Sequence, residues 1–246
     1  MIQWYNSLDS TNSEALRHLW EIPSGTVIAA REQTAGRGQR GNSWLSAPGD
    51  NLTFSVVLKF GQGCCGSLPA ADAHWLNYLA SLAVARFLQG RGAGCSIKWP
   101  NDIYVGRRKI CGILVETRLH ADSLEAAVIG IGININQKEF PSLANATSLF
   151  NCTGKKYDTE ECLKDFVGIF ESLLPSLFDA GRRTALFSAY SALLFQKGVS
   201  AGYHDYLREE QFTGVIEGVA PDGRLSILDS ASVRRLYRFK EVGYIL

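Results

Sequence analysis

The chain has 246 residues, of which 46% are hydrophobic and 20% are charged, with a formal net charge of +1. These proportions are typical of a globular protein that buries a sizeable core. A net charge so close to zero argues against nucleic acid or an anionic membrane as the main partner.

Neither a secretion signal nor a membrane span is predicted. The first five residues lack the basic start and apolar run of a signal peptide, and no uninterrupted apolar stretch of about 20 residues occurs. The cysteines form no CxxC pair and no histidine-bearing zinc spacing, which indicates free thiols in a reducing compartment. The sequence therefore predicts a soluble, cytoplasmic protein. Its six cysteines are Cys64, Cys65, Cys95, Cys111, Cys152 and Cys162.

The first fifty residues predict a helix, a strand and an irregular segment, in that order. A helix is expected to begin at residues 10–12, because Thr11 and Glu14 have the spacing of a capping box. The β-branched and small residues within 25–31 predict a short buried strand. Residues 33–50 are polar and rich in glycine, with neither a helical nor a strand period.

The middle of the chain has clearer periodicity. Apolar and polar residues alternate over residues 52–58, which predicts a half-buried strand. Apolar residues at helical spacing over residues 76–87 predict a core helix that ends near Gly90 and Gly92. Three further strands are predicted over residues 95–99, 109–117 and 126–136.

The last ninety residues divide into a helical part and a β part. Helices are predicted over residues 163–177 and 185–195, and a small all-β domain is expected from Gln196 onward. The predicted fold class is α+β, with a mixed or antiparallel sheet, because helices and strands do not alternate strictly. We predict domains at residues 1–195 and 196–246. The β domain has predicted strands at residues 213–219, 224–228 and 233–239, with a turn at residues 221–223.

Residues 36–41 read GRGQRG and satisfy the GxGxxG pattern. The dinucleotide-binding interpretation fails, because a strand and not a helix is predicted next after this segment. What is left is a loop whose backbone N–H groups and two arginines could contact phosphate oxygens. A solvated surface turn is an equal alternative, and the nearby Trp44 slightly favours a ligand lid.

Two further motifs lie at special positions of predicted strands, one at the end of a strand and one at a glycine inside a strand. Residues 98–102 read KWPND, so that Lys98 ends a strand and could contact a carboxylate and a phosphate together, while Asn101 could bind a nucleotide. The alternative is a surface lysine before a turn. In residues 108–116, Gly112 inside a strand indicates that the backbone approaches another group closely, and this group could be a ligand. The alternative is a simple hairpin with a charged turn before this strand.

Amides and hydroxyls form the remaining candidates. Asn134 and Asn136 point the same way from a glycine-rich strand, and each needs a partner, which is either backbone or a ligand. The segment at residues 10–12, together with Gln33, carries the hydroxyls and amides that grip a neutral polar head group. Helix capping also accounts for the hydroxyls, and both interpretations can hold at once.

The order of these motifs and the residues in them resemble those of the biotin protein ligase family. The similarity rests on residues 10–12 (STN), 33–38 (QTAGRG), 98–102 (KWPND), 109–116 (KICGILVE) and 130–134 (GIGIN). The resemblance implies a class II synthetase-like ligase domain followed by a small SH3-like β-barrel. It implies that biotin and ATP, with Mg²⁺ bound to the phosphates rather than to a protein metal site, form biotinyl-5′-AMP. A lysine of a biotin carboxyl carrier protein then attacks this adenylate.

The resemblance also assigns roles to residues by motif position. Lys98 and Arg37 would be catalytic, because cations offset the repulsion between a carboxylate and a phosphate. The loop would close over the adenylate and exclude water. The residues expected at biotin are Ser10, Thr11, Asn12, Gln33, Arg37, Gly38, Gln39, Lys98 and Gly112. Those expected at ATP are Arg37, Arg40, Asn101, Lys109 and Asn134.

The chain departs from the family pattern in two places. Gln39 and Asn42 stand where many members carry arginine, so the loop has less positive charge and its retention of the adenylate could differ. Only nine residues precede Ser10, too few for the helix-turn-helix domain of members that double as repressors, so DNA binding is not expected. The alternatives are a lipoate or octanoate ligase of the same superfamily, and a non-catalytic biotin sensor. The oligomeric state stays open, with a homodimer as one alternative.

Overall fold

The computed structural model describes residues 1–61, 66–141, 143 and 145–245, and of Arg40 the backbone alone. Four of the predicted free thiols fall in these ranges and are free, at Cys95, Cys111, Cys152 and Cys162. Cys64 and Cys65 lie outside the described residues. Within the described ranges, no helix is long and apolar enough to cross a membrane.

A seven-stranded sheet forms the larger part of the fold. Its strands are β1 (Ile2–Leu8), β2 (Val27–Gln33), β3 (Leu52–Lys59), β4 (Ser96–Lys98), β5 (Asp102–Val105), β6 (Arg108–His120) and β7 (Ser123–Ile133). They lie in the order β1-β2-β3-β7-β6-β5-β4. The pair β1 and β2 is parallel, and the other neighbouring pairs are antiparallel. The predicted α+β class with a mixed sheet is confirmed.

Different helices cover the two faces of this sheet. The helices are α1 (Thr11–Arg17), α2 (His74–Gln89), α3 (Leu149–Thr153), α4 (Thr159–Leu173) and α5 (Ala180–Ala192). On one face, α2 and α4 pack into the main core, and on the other, Ala15 of α1 packs against Ile28 and Val57. Every side chain over residues 52–58 is therefore at most 3% exposed. The prediction of a half-buried β3 was wrong, because the polar face of this strand is covered by α1.

Helix α1 begins where the sequence predicts, but with a different cap. Ser10 is the N-cap, and its Oγ accepts from the backbone N–H of Ser13. Thr11 is already helical and directs its N–H to Gln33 Oε1 at 2.8 Å. The predicted pairing of Thr11 with Glu14 as a capping box is therefore wrong, because the helix begins one residue before that spacing requires.

The later helices follow the predictions with shifted ends. The apolar stripe predicted over residues 163–177 is α4, which ends at Leu173 and continues as a 3-10 turn through Leu177. Pro175 lacks the backbone N–H that another α-helical turn would need. Helix α5 begins earlier than predicted, because Asp179 caps it by accepting from the N–H of Arg182 at 2.7 Å.

A five-stranded antiparallel sheet confirms the predicted all-β part near the C-terminus. Its strands are β8 (Ser200–Asp205), β9 (Glu210–Val219), β10 (Leu225–Asp229), β11 (Arg234–Tyr237) and β12 (Val242–Ile245). The order is β11-β10-β9-β8-β12, an open series of pairs among the described strands. Closure as an SH3-like barrel and the boundary between residues 195 and 196 stay predictions.

The two sheets meet around the KWPND segment. Trp99 donates from its indole Nε1 to the carbonyl of Gly223 at 3.2 Å, and its ring packs edge-on against Phe239 at 6.4 Å. Tyr190 of α5 donates its hydroxyl to the carbonyl of Pro100 at 2.7 Å. The strand end that carries Lys98 is thus held between the larger sheet, α5 and the smaller sheet.

Candidate active site

A cavity of about 410 Å³ lies between the larger sheet, the GRGQRG loop and the smaller sheet. The structure brings most of the predicted site residues to this one place. Those that line it are Ser10, Thr11, Asn12, Gln33, Arg37, Gly38, Gln39, Lys98, Asn101, Lys109 and Gly112. Asn134 does not line it, and the side chain of Arg40 is outside the described atoms.

A hydrogen-bonded cluster forms one part of the cavity wall at the start of α1. Gln33, from the end of β2, accepts at Oε1 from both the backbone N–H and the hydroxyl of Thr11, at 2.8 and 3.2 Å. Ser10 and Thr11 are at most 3% exposed. Capping by Ser10 and a place in the cavity wall are therefore compatible, as the sequence predicted.

Asn12 has its side-chain amide fixed at both ends. Its Oδ1 accepts from Ser55 Oγ at 2.6 Å, and its Nδ2 donates to Glu116 Oε2 at 2.8 Å. A Cβ on Gly130 would lie 2.1 Å from Asn12 Oδ1, so only glycine at that position of β7 lets the amide approach the sheet. The orientation of Asn12 is thus set by three strands.

The GRGQRG loop is attached to β6 by two contacts. Arg37 donates from Nη2 and Nη1 to the two carboxylate oxygens of Glu116, at 2.8 and 3.1 Å. Gln39 donates from Nε2 to the carbonyl of Ile113 at 3.1 Å. The loop therefore crosses the strand that carries Gly112 and covers one side of the cavity.

Trp44, just after this loop, lies directly over the glycines of β6 and β7. A Cβ on Gly132 would lie 2.3 Å from its ring, and one on Gly112 would lie 3.1 Å away. The close approach predicted at Gly112 is made in this structure by the indole ring of Trp44. The indole Nε1 is buried and has no hydrogen-bond partner among the described residues.

Lys98 extends from the end of β4 into the cavity. Its Nζ lies 3.4 Å from the hydroxyl of Tyr104, and it lies over the rings of Tyr104 and Tyr244 at 5.2 and 5.0 Å. Burial lowers the pKa of Lys98, Asp102 opposes this effect, and the nearby ammonium of Lys109 adds to it. The site therefore holds a cation that is incompletely solvated and would gain from an anionic ligand.

Asn101 and Lys109 lie on the same side of the cavity as Lys98. Asn101 is buried, and its Nδ2 donates to the carbonyl of Ile113 at 2.9 Å and to Asn77 Oδ1 at 3.1 Å. Lys109 forms an ion pair with Asp102, with 2.7 Å between Nζ and Oδ1. About a third of each of these two charged side chains is exposed, so both remain accessible from the cavity.

Asn134 has a structural partner instead of a place in the cavity. Its Nδ2 donates to the carbonyl of Thr147 at 2.9 Å. Asn136 likewise exchanges hydrogen bonds with the backbone of Tyr157. The nucleotide contact predicted for Asn134 stays a prediction, because its buried Oδ1 has no hydrogen-bond partner among the described residues.

Sequence reasoning missed two residues that shape the site. Glu116 ends the KICGILVE motif, but no role was assigned to it, although a carboxylate near loop arginines is a usable signal. Tyr244 lies in β12, a strand that was not predicted. No local pattern connects Tyr244 with Lys98, which is 146 positions earlier in the chain.

The fold and the cavity define a class of α+β domains in which a glycine-rich loop lies across a mixed sheet and encloses a site for a small polar ligand. Residues 4–134 match the sequence profile of the biotin/lipoate A/B protein ligase family. The match covers more than half of the chain, and the chain belongs to this family.

Individual relatives extend this similarity beyond the profile. The bifunctional ligase/repressor BirA of Bacillus spizizenii is 29% identical over 222 residues, which covers 87% of this chain and 65% of that protein. The biotin–[acetyl-CoA-carboxylase] ligase of Paracoccus denitrificans is 35% identical over 160 residues, which covers 63% of this chain and 65% of the relative. The chain thus spans just under two thirds of the length of these relatives.

A solved structure resembles the whole fold. The biotin protein ligase from Aquifex aeolicus, in complex with biotin and ATP, has a TM-score of 0.78 and 27% sequence identity. The similarity covers 98% of this chain and 97% of that one, and so includes both sheets.

Proposed function

We propose that this protein is an ATP-dependent biotin–protein ligase. In the first step, the carboxylate of biotin attacks the α-phosphorus of ATP and releases pyrophosphate, which gives biotinyl-5′-AMP. In the second step, a lysine amine of a carrier protein attacks the acyl carbon and releases AMP. The observation that carries the proposal is that the polar cluster, Lys98 and the arginine-bearing loop line one cavity.

The cluster at the start of α1 suits the neutral head group of biotin. The ureido ring has two N–H donors and one carbonyl acceptor, and the cluster offers hydroxyls and amides held by mutual hydrogen bonds. Because Ser10, Thr11 and Asn12 are already fixed by the fold, binding requires little further ordering of side chains.

Lys98 is the proposed cation at the reacting groups. A carboxylate that attacks a phosphate brings like charges together, and a fixed ammonium in a partly desolvated site offsets this repulsion. Losing one such contact typically raises a barrier by roughly 2–4 kcal/mol. Arg37 is the second proposed cation, but here it is paired with Glu116, so that its action on a phosphate requires an exchange of partners.

The nucleotide is proposed to lie beside Asn101 and Lys109. The described residues hold no group of three or more His, Cys, Asp or Glu that could bind a metal by themselves. Mg²⁺ usually needs only one or two carboxylates when phosphates supply other ligands. Asp102, at the cavity wall, fits this requirement. Mg²⁺ would neutralise charge on the phosphates when it is bound with ATP.

The proposed acceptor is a biotin carboxyl carrier domain of a biotin-dependent carboxylase. Support comes from the name of the Paracoccus denitrificans relative, a biotin–[acetyl-CoA-carboxylase] ligase. A homodimer, a lack of DNA binding and a cytoplasmic location stay predictions.

The test is ATP–pyrophosphate exchange with biotin, lipoate and octanoate offered separately and without a carrier. We expect exchange with biotin alone. Exchange driven by lipoate or octanoate instead would keep the adenylation chemistry and change the substrate. No exchange, together with measurable biotin binding, would contradict the ligase and favour a biotin sensor.

A further inference from the structure

The ammonium of Lys98 lies between two tyrosine rings that come from different sheets. Tyr104 belongs to β5 of the larger sheet, and its ring centroid is 5.2 Å from Lys98 Nζ. Tyr244 belongs to β12 of the smaller sheet, and its ring centroid is 5.0 Å from the same atom. Both distances are within the range of cation–π attraction.

Lys98 has no ion pair among the described residues. The nearby carboxylate, Asp102, is paired with Lys109 instead, and the hydrogen bond from Lys98 Nζ to the hydroxyl of Tyr104 is long, at 3.4 Å. Burial lowers the pKa of Lys98. Tyr104 accepts one N–H of this ammonium at its hydroxyl oxygen, whereas the ring of Tyr244 supplies negative potential without using an N–H donor.

Tyr244 presents a ring face to the cavity and not a polar group. The residue lines the cavity and is partly exposed, but its hydroxyl oxygen is buried. Burial raises the pKa of Tyr244, so the phenol is neutral at physiological pH. Its ring is held by Tyr203 at 5.5 Å and by Phe195 at 6.1 Å.

We propose that Tyr244 is a positioning residue, through which the smaller sheet holds the Lys98 ammonium in place for the carboxylate of the bound acid. The proposal rests on the proposed function, which makes that acid biotin. A carboxylate partner within the protein would hold Lys98 as well, but it would compete with the substrate for the same donors. An aromatic face orients the cation and leaves those donors available.

The test compares the affinities of the whole protein for biotin and for biotinamide, in which a neutral amide replaces the carboxylate. The dissociation constant for biotinamide divided by that for biotin measures the contact between ammonium and carboxylate. We expect Tyr244→Leu to reduce this ratio by about tenfold, within the range of a desolvated cation–π contact. Tyr244→Phe, which keeps the ring, should retain the wild-type ratio.

The matched control is Phe212→Leu. Phe212 belongs to the same sheet, and its ring centroid lies 4.4 Å from the guanidinium carbon of Arg235. Unlike Tyr244, it does not line the cavity. This variant should be less stable and keep the wild-type ratio. A fall in the ratio as large as that of Tyr244→Leu would overturn the proposal, because loss of packing would then explain both.

A second test does not depend on the folding of the leucine variant. It places phenylalanines with one, two and three fluorines on the ring at position 244. Fluorine withdraws electron density from the ring face and changes its shape little, so the ratio should fall stepwise. A ratio that is constant across the series, in protein that still performs biotin-dependent exchange, overturns the role of Tyr244 alone. Wild-type protein that neither binds biotin nor performs exchange overturns the proposed function and, with it, this role.

Discussion

Arg37 in the GRGQRG loop and Glu116 on β6 form a bidentate ion pair, with N–O distances of 2.8 and 3.1 Å. The same carboxylate accepts from Asn12 Nδ2 at 2.8 Å. One side chain thus joins the loop to the polar cluster at the start of α1. Charge-assisted bidentate pairs are among the stronger hydrogen bonds in proteins, although exposure of Arg37 weakens this one.

Replacing Glu116 with glutamine should loosen the loop. Glutamine keeps the shape of the side chain but removes the charge and one of the two acceptors for Arg37. We expect trypsin to cleave at the loop arginines several-fold faster, and the KM for biotin to rise. Glu125→Gln, an exposed change on the neighbouring strand β7, is the control. Equal cleavage rates in both variants and the wild type would show that Glu116 does not retain the loop.

Lys98→Ala should remove adenylation and leave the fold intact. We expect biotin-dependent exchange to fall by roughly 10²–10³-fold, the usual effect of removing one charge-stabilising contact. The free energy of unfolding should change by less than about 1 kcal/mol, because the side chain extends into a cavity and fills little core. Arg107→Ala, an exposed change outside the cavity in the turn between β5 and β6, should retain wild-type exchange. Normal turnover of the Lys98 variant would refute its role.

Gly132→Ala should displace Trp44. The new Cβ would lie 2.3 Å from the indole ring, so the ring and the loop before it must move. We expect faster hydrogen exchange over residues 36–44 and weaker biotin binding. Gly218→Ala in β9 is the matched control, because its Cβ would meet nothing within 4 Å. Unchanged hydrogen exchange over residues 36–44 in the Gly132 variant would mean that the indole ring does not contact this strand in solution.

Asp9 should contribute a pH-dependent part of the stability. The hydrogen bonds from the Arg17 guanidinium, followed by the one from the backbone N–H of Ser10, lower the pKa of Asp9 to about 2. A folded-state pKa below the unfolded one stabilises the fold above about pH 4, and this contribution is lost as the pH falls through 2. Because both side chains are nearly half exposed, we expect less than about 1 kcal/mol.

The measurement is urea unfolding of the wild type and of Asp9→Asn between pH 2 and pH 7. The stability advantage of the wild type should be present at pH 5–7 and disappear near pH 2. It should also shrink in 1 M salt, which screens an exposed pair. A difference that grows toward acid pH would contradict this assignment.

The elements that the sequence predicted best have a strong period of their own. Helices α2 and α4 bury long apolar stripes, and β6 and β7 are long strands that contain several β-branched residues. The strands β1 and β5 were not predicted. β1 pairs with residues some 25 positions away, and β5 is four residues long and begins at Asp102, the last residue of the KWPND motif. Both strands depend on their neighbours in the sheet and show little pattern of their own.

The sequence by itself determined the mixed α+β class, the glycine-rich arginine loop and the strand-end position of Lys98. Local chemistry sufficed for these features, because periodicity, glycine and proline act over a few residues. Only the tertiary structure decided that Glu116 joins Arg37 to Asn12, that Asn134 bonds to backbone, and that Tyr244 reaches Lys98. Each of these contacts joins segments that are separated in the chain or that belong to different sheets. Their geometry depends on how strands pair and pack, which no window of neighbouring residues contains.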